Sequence, residues 1–462
     1  MASMSPTNEL VRNMLEINFD AFSEEVVNHA KNRIIDVIGC LIAGANAPGC
    51  PMILDLIKEW DGKAESTIIV HGIKAPAHNV AMANSIMARS HDYEVPGPVV
   101  EETKAFPAHI SGTTVPTAFA MAEQKSASGK ELLTALILGD DIAARLIAAS
   151  AQSFQSGWDS TGIANAFGAT AIAGKLSELN EQQMLNAFGI VINQLAGTFQ
   201  CIWDGCHAFK LPQGLAARAG IFSAQLASKG FTGVKDALFS KYGYFALYYS
   251  QTGQPDILTK NLGKVFYSDR EFKLYPSCRG NHAAIECALA LVRQYDIEAE
   301  NIDDIVLDVS PILLDSFVGK PFEIRDVPQV DALFSPRYSV ASVLVRKSIK
   351  LEHFGEESIR EPKVVDLAQK IKLTGTKPEE KPKAAGLTVK LKGGKEYSAN
   401  VDFARGDAID SPMSREEITE KFKANVDFSK TVAREKAEKA LHLLENIDGV
   451  KNITQIVELL VV

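Results

Sequence analysis

The stretch EEVVNHAKNRIIDVIGCLIAGA, residues 24–45, decides the class of fold. Its apolar residues Val26, Val27, Ala30, Ile34, Val37, Ile38 and Leu41 recur at intervals of three and four, the spacing of one helical face. The same rhythm carries the chain outward from there. Pro76 stands where a helix can start, and Val80, Met82, Ala83, Ile86 and Met87 follow it. Ala, Leu, Ile and Gly dominate 113–124, 129–150, 161–178, 182–198 and 214–229. Small residues such as Gly168, Ala169, Ala171, Ala173 and Gly174 let helices approach closely. The first 260 residues therefore read as one helical array.

The composition changes after about residue 268. Asp303-Asp304-Ile305-Val306-Leu307-Asp308-Val309 reads as a strand. Gly386–Leu391 and Glu396–Val401 read as a hairpin turning at Lys392-Gly393-Gly394-Lys395. The Lys- and Glu-rich 376–384 segment is a solvated connector. Helix returns at Ser414-Arg415-Glu416-Glu417, a capping-box pattern. The expectation is a mainly α protein. A large all-helical domain is built from both chain ends, 1–268 and 411–462, and a smaller α+β lid domain spans 269–410. A cleft between such units is a common place for a ligand.

At 462 residues the chain has ample apolar material for a large core. Its net charge of −9 and the absence of any Lys/Arg block argue against nucleic acid as a partner. Six scattered cysteines make no disulfide framework and fit a reducing, cytoplasmic setting. Cys201-x4-Cys206-His207 lacks a second ligand pair at metal-site spacing, so no metal is expected there. The first ten residues are polar and read as no signal peptide. No apolar run is long enough for a membrane helix, so no membrane association is expected.

Polar residues gather at four helix mouths. The first runs from Arg89-Ser90-His91-Asp92-Tyr93-Glu94 through a Pro/Gly-rich loop with Lys104 and Phe106-Pro107 to Ala108-His109-Ile110-Ser111-Gly112. His109 precedes a helix start, and an imidazole exchanges protons near neutral pH. The second is Ser156-Gly157-Trp158-Asp159. The third, Trp203-Asp204-Gly205-Cys206-His207-Ala208-Phe209-Lys210, places Lys210 where it can hold a carboxylate as a point charge. The fourth, Lys273-Leu274-Tyr275-Pro276-Ser277-Cys278-Arg279-Gly280-Asn281-His282, carries cations, a thiol and an imidazole to a helix N-terminus, which favours an anionic ligand. For each single loop the bland alternative is an ordinary solvated surface loop.

Taken in order, these stretches resemble the MmgE/PrpD family, whose members include 2-methylcitrate dehydratase, cis-aconitate decarboxylase and iminodisuccinate epimerase. Further matches are Leu138-Gly139-Asp140-Asp141-Ile142-Ala143-Ala144-Arg145, Gly214-Leu215-Ala216-Ala217-Arg218, Phe334-Ser335-Pro336-Arg337-Tyr338-Ser339 and Gly406-Asp407 through Ser414. The resemblance covers nearly the whole chain. It implies an enzyme without metal or organic cofactor, mostly a homodimer, acting on a small di- or tricarboxylate at a site between two domains. It carries catalytic roles to Asp92, His109, Lys210, Lys273 and Tyr338. The chain departs from the family's His-x-Leu-Asp-Phe-Asp-Asp pattern: Arg89 replaces the first His, and Glu94 and Val95 replace the last two acids. Pro96 stands where the cis-aconitate decarboxylases have Thr, and Asp159 where a family His falls. The Lys210 match needs a one-residue gap.

The chemistry expected is that of a lyase, a dehydratase or decarboxylase. Breaking a bond beside a carboxylate leaves charge on its oxygens, which fixed cations must stabilise. Lys210 and Lys273 are the candidates, with Arg279 a third. His109 moves the proton, Asp92 holds the imidazole or the loop, and Tyr338 donates to a carboxylate or leaving hydroxyl. Asp159 and His282 complete the substrate-binding candidates. An epimerase or isomerase using the same proton abstraction, and an inactive ligand-binding relative, stay open as alternatives.

Overall fold

The computed structural model describes residues 5–101, 104–105, 108–150, 157–248 and 255–462. For Lys104–Ala105 only the course of the backbone is described. The Lys104 side chain, Phe106-Pro107 and Ser156 therefore lie outside the described residues. The chain is mainly α, as its periodicity leads one to expect.

Long helices at Glu24–Gly44, Ala77–Arg89, Ser111–Lys125, Gly129–Ala149, Ser160–Leu176 and Leu211–Ser228 pack against one another. Their starts are chemically marked. Ser23 accepts from Val26 N–H, and Ser128 forms a capping box with Glu131. Small residues set the spacing. A Cβ on Gly139 would sit 2.7 Å from Gly168 O, and one on Gly168 would sit 2.7 Å from Gly139 O. The two helix backbones thus touch where any side chain would hold them apart.

The apolar interior divides into two clusters. The first gathers buried residues from Leu10 to Phe272 and takes in Met413–Leu460 from the end of the chain. The returning helix Arg415–Ser429 begins at the Ser414/Glu417 capping box and packs on Glu24–Gly44. The second cluster is built from 283–404, joined by Phe199, Cys201, Ile202 and Phe209. Its four-stranded sheet runs in the order Ile371–Thr374, Ile302–Asp308, Ala385–Leu391, Glu396–Val401. The first pair is parallel and the others antiparallel. Helix His282–Gln294 packs on the sheet, and Pro336–Arg346 packs on that helix.

One departure from the all-helical first segment matters for the site. A small antiparallel ribbon joins Lys104–Ala105, Pro98–Val100 and Ser268–Asp269. It ties the loop after Asp92 to the segment that leads into Lys273.

Candidate active site

The Ala77–Arg89 helix delivers Arg89 in its last turn. Three residues later Asp92 adopts φ 45°, in the left-handed region, where Asp is among the more tolerant non-glycine residues. Both acids of this turn then meet the guanidinium. Arg89 Nη1 donates to Asp92 Oδ1 and, at 3.1 Å, to Glu94 Oε1.

His109 enters from the other end of the loop. Its carbonyl accepts from Asn165 Nδ2 at 2.6 Å. The next two amides, Ile110 and Ser111, both donate to Asp269 Oδ2, at 2.9 and 2.7 Å. The imidazole Nδ1 lies 2.9 Å from Glu94 Oε1. Its Nε2 is 3.5 Å from Arg89 Nη1 and 3.8 Å from Asp92 Oδ1. Lys273 closes the cluster, with Nζ 3.0 Å from Asp92 Oδ2 and donating to Asp92 O at 2.5 Å. The side chains of Arg89, Asp92, Glu94 and Lys273 are at most 5% exposed, whereas that of His109 is 16% exposed. The imidazole is the most exposed member of the group.

The electrostatics assign the protons. Burial alone would raise Glu94, but Arg89, His109 and Lys273 hold its carboxyl well below the usual range. Burial lowers His109, Arg89 and Lys273 push the same way, and Glu94 opposes them. The resting state is therefore an ionised Glu94 beside a neutral imidazole. Placing the ring proton on Nδ1, 2.9 Å from Glu94 Oε1, leaves Nε2 as the basic atom, with its lone pair turned to Arg89 Nη1 at 3.5 Å. Burial works against the charge on Arg89, yet Asp92, Glu94 and Asp159 outweigh it and keep the guanidinium ionised. Cys278 feels Asp92 and Lys273, but burial pushes its thiol up to about 11, so it offers no thiolate.

Asp92, Glu94 and His109 place one ligand atom each within 4.8 Å of one another, a spacing that suits a metal ion. Two fixed cations already occupy that corner, Arg89 against both acids and Lys273 against Asp92. A divalent ion would have to displace them, so the donor set fits charge pairing better than coordination.

Of the residues singled out in the sequence, Asp92, His109 and Lys273 come together. Lys210 does not touch this group. Its ammonium is buried, donates to Pro48 O at 2.6 Å, and lies 5.6 Å from the centre of the Phe209 ring. Arg89 lies 5.6 Å from the same ring centre, so Phe209 is a wall shared by Lys210 and the cluster. Burial lowers the Lys210 ammonium. Asp159 caps the Ser160–Leu176 helix by accepting from Thr161 N–H, near enough to Arg89 to stabilise its charge. Arg279 donates to Ala404 O and Arg405 O and so ties backbone together. His282 is buried with Nε2 3.4 Å from Ser277 O, and burial holds it well below its ordinary value. The Tyr338 hydroxyl donates to His353 O, and its ring packs on Phe322 and Phe354 inside the second core. Arg89 and Glu94 are the members that the sequence marked only as departures from a pattern. Their signal was position: both flank Asp92 in one short loop.

A cleft of about 470 Å³ opens between the two cores, lined among others by His91, His207, Gln329, Phe354 and Phe428. A larger hollow of about 820 Å³ runs along Leu15, Lys130, Lys175 and Glu178, and no residue of the cluster lines it. His91, the residue before Asp92, donates from Nε2 to Ala43 O at 3.2 Å and accepts from Gln329 Nε2 at 3.0 Å. That arrangement fixes a neutral ring, and burial holds its pKa down at about 4.

The profile of the MmgE/PrpD N-terminal domain matches residues 8–255, and that of the C-terminal domain matches 275–446. A cis-aconitate decarboxylase of Aspergillus terreus is 25% identical over 468 residues, covering 96% of this chain and 93% of its own. The human cis-aconitate decarboxylase is 24% identical, with 95% and 91% covered. A cis-aconitate decarboxylase-like protein of Aspergillus oryzae is also 24% identical, with 90% and 89% covered. Among the described residues no helix is long and apolar enough to cross a membrane. With both domain profiles matched in order along most of its length, the chain belongs to the MmgE/PrpD family.

Proposed function

We propose that this protein is a lyase that acts on a small dicarboxylate or tricarboxylate, with His109 as the group that moves a proton beside a substrate carboxylate. The observation that carries this reading is the neutral, partly exposed imidazole held 2.9 Å from an ionised, fully buried Glu94. The names of the relatives support the same class of reaction.

In a dehydration, His109 Nε2 takes the hydrogen on the carbon next to a carboxylate. The electron pair left on that carbon expels the β-hydroxyl, which leaves as water with that proton. In a decarboxylation the C–CO2 bond breaks first, and the pair it leaves on carbon takes a proton from His109, whose neutral ring must first draw that proton from solvent. Lys273 and Lys210 are assigned to the substrate's carboxylate oxygens, where charge accumulates. Within the cluster, however, Arg89 and Lys273 already face Asp92 and Glu94, with Asp159 close by. No cation of the cluster is spare, so Lys273 meets a substrate carboxylate only by giving up its contact with Asp92.

The neutral state of His109 also favours reactions that begin by removing a proton. Epimerisation, in which the proton returns to the opposite face, is therefore the second reading. The purified protein would be incubated in D2O with cis-aconitate and with small hydroxy-, unsaturated and imino-dicarboxylates, followed by mass spectrometry. Loss of water or CO2 identifies the lyase, and deuterium uptake at the α-carbon without loss identifies the epimerase. His109→Asn with undiminished turnover would overturn the assignment. Tight binding with neither product nor exchange would place the protein among inactive relatives.

A further inference from the structure

Glu94 is gripped through the backbone on both sides. The carbonyl before it, Tyr93 O, accepts from Lys421 Nζ at 2.6 Å, and the amide after it, Val95 N–H, donates to Asp36 Oδ2 at 2.9 Å. Lys421 Nζ and Asp36 Oδ1 are themselves 2.7 Å apart. The two side chains are 2% and 0% exposed. Asp36 belongs to the Glu24–Gly44 helix and Lys421 to Arg415–Ser429, so the grip joins the two ends of the first core. The Lys421 ammonium also stands 3.8 Å from the centre of the Tyr93 ring. The Tyr93 hydroxyl in turn donates to Leu274 O at 3.0 Å, beside Lys273.

A buried ion pair adds little net stability over an apolar pair of the same volume. Here it supplies direction. The turn it holds contains Asp92 in the left-handed region, a conformation that needs its surroundings to maintain it. With both neighbouring peptide groups fixed, Glu94 keeps one orientation toward His109 Nδ1.

We propose that Asp36 and Lys421 are a positioning pair that aims the Glu94 carboxylate at His109 and thereby sets how readily the imidazole takes a proton. The inference rests on the reading of His109 as the proton carrier. The charged and titratable groups facing this pair are Cys40 on the helix of Asp36, Tyr93 and Glu94 on the loop, and Lys273 and His282 from the opposite segment. Neither Asp36 nor Lys421 reaches the imidazole.

The test exploits a difference in sign. Removing a nearby cation by charge alone raises the pKa of a histidine, whereas letting Glu94 swing away from Nδ1 lowers it. Ring-labelled histidine NMR would follow the titration of His109, identified by its loss in His109→Asn, in Lys421→Met, Lys421→Arg and Glu94→Gln. The expected result is a fall in Lys421→Met of about half a pH unit or more, roughly threefold in proton affinity. Its direction should match Glu94→Gln, with Lys421→Arg close to the wild type. No shift, or a rise, in Lys421→Met overturns the proposal. If Lys421→Met does not fold, the double variant Asp36→Asn/Lys421→Met removes both charges and is read the same way. Failure of both to fold makes the pair a structural tie and rejects the positioning role. Because the readout is the ring itself, turnover surviving in His109→Asn would sink the assigned reaction without touching this result.

Discussion

Replacing Glu94 by Gln is the most telling single change to the cluster. The carboxylate is fully buried, 2.9 Å from His109 Nδ1 and 3.1 Å from Arg89 Nη1. The amide keeps the shape and one acceptor oxygen but removes the charge. Arg89 and Lys273 then share Asp92, and about one positive charge is left uncompensated in a buried site. Breaking a buried pair in this way costs on the order of 3–5 kcal/mol, read as a lower urea midpoint at neutral pH. His109 loses the neighbour that raises its pKa and keeps burial, Arg89 and Lys273, which lower it, so its titration moves further down. A histidine deprived of its orienting carboxylate typically loses about 10²–10⁴ in kcat, and a fall in that range is expected on whichever substrate the D2O screen identifies. The Arg89→Met/Glu94→Gln double variant should recover part of the lost stability but not the activity. An unchanged urea midpoint together with an unchanged His109 titration in Glu94→Gln would refute the pairing on which the site is built.

Other expectations are independent of that pairing. Lys210→Met should raise KM for a dicarboxylate about tenfold or more while leaving the His109 titration in place, because Lys210 borders the cluster only through Phe209. Equal KM in the two proteins would remove Lys210 from substrate binding. Burial raises Asp269 to about 8, far above its unfolded value, so the folded wild type holds a proton that the unfolded chain has lost. That contribution is complete below the unfolded pKa near 4 and disappears as pH rises through about 8. The stability of Asp269→Asn relative to wild type should therefore climb across that window, by at most about 1.4 kcal/mol per pH unit, in urea melts at several pH values. A constant difference would show that the carboxyl titrates normally. Gly129→Ala should destabilise by about 1–3 kcal/mol or more, since its Cβ would stand 1.6 Å from Ile447 O.

The helical array and the Ala385–Leu391/Glu396–Val401 hairpin were legible because each repeats a physical period over many residues. The ribbon of Pro98–Val100, Lys104–Ala105 and Ser268–Asp269 was not, because strands of two or three residues carry no period at all. The parallel partner Ile371–Thr374 is nearly as short, and its pairing is long-range. In the site, Asp92, His109 and Lys273 were visible as polar breaks in apolar helices, and the structure gathers them. What they gather around was hidden: the glutamate and arginine read as losses from a family pattern form, with them, a charge-balanced group. Tyr338 shows the opposite failure. A motif locates the residue on its helix, but only packing decides that its hydroxyl turns to His353 O.

The distance along the chain between Asp36 and Lys421, 385 residues, has a consequence for biosynthesis. At ordinary elongation rates on the ribosome, about 20–80 s separate the emergence of the acid from that of its base. Throughout that interval the Glu24–Gly44 helix lacks the covering it receives from Arg415–Ser429, so the nascent polypeptide presents a long oily stripe suited to a holding chaperone. The acid loop acquires its grip only once Lys421 has left the ribosome.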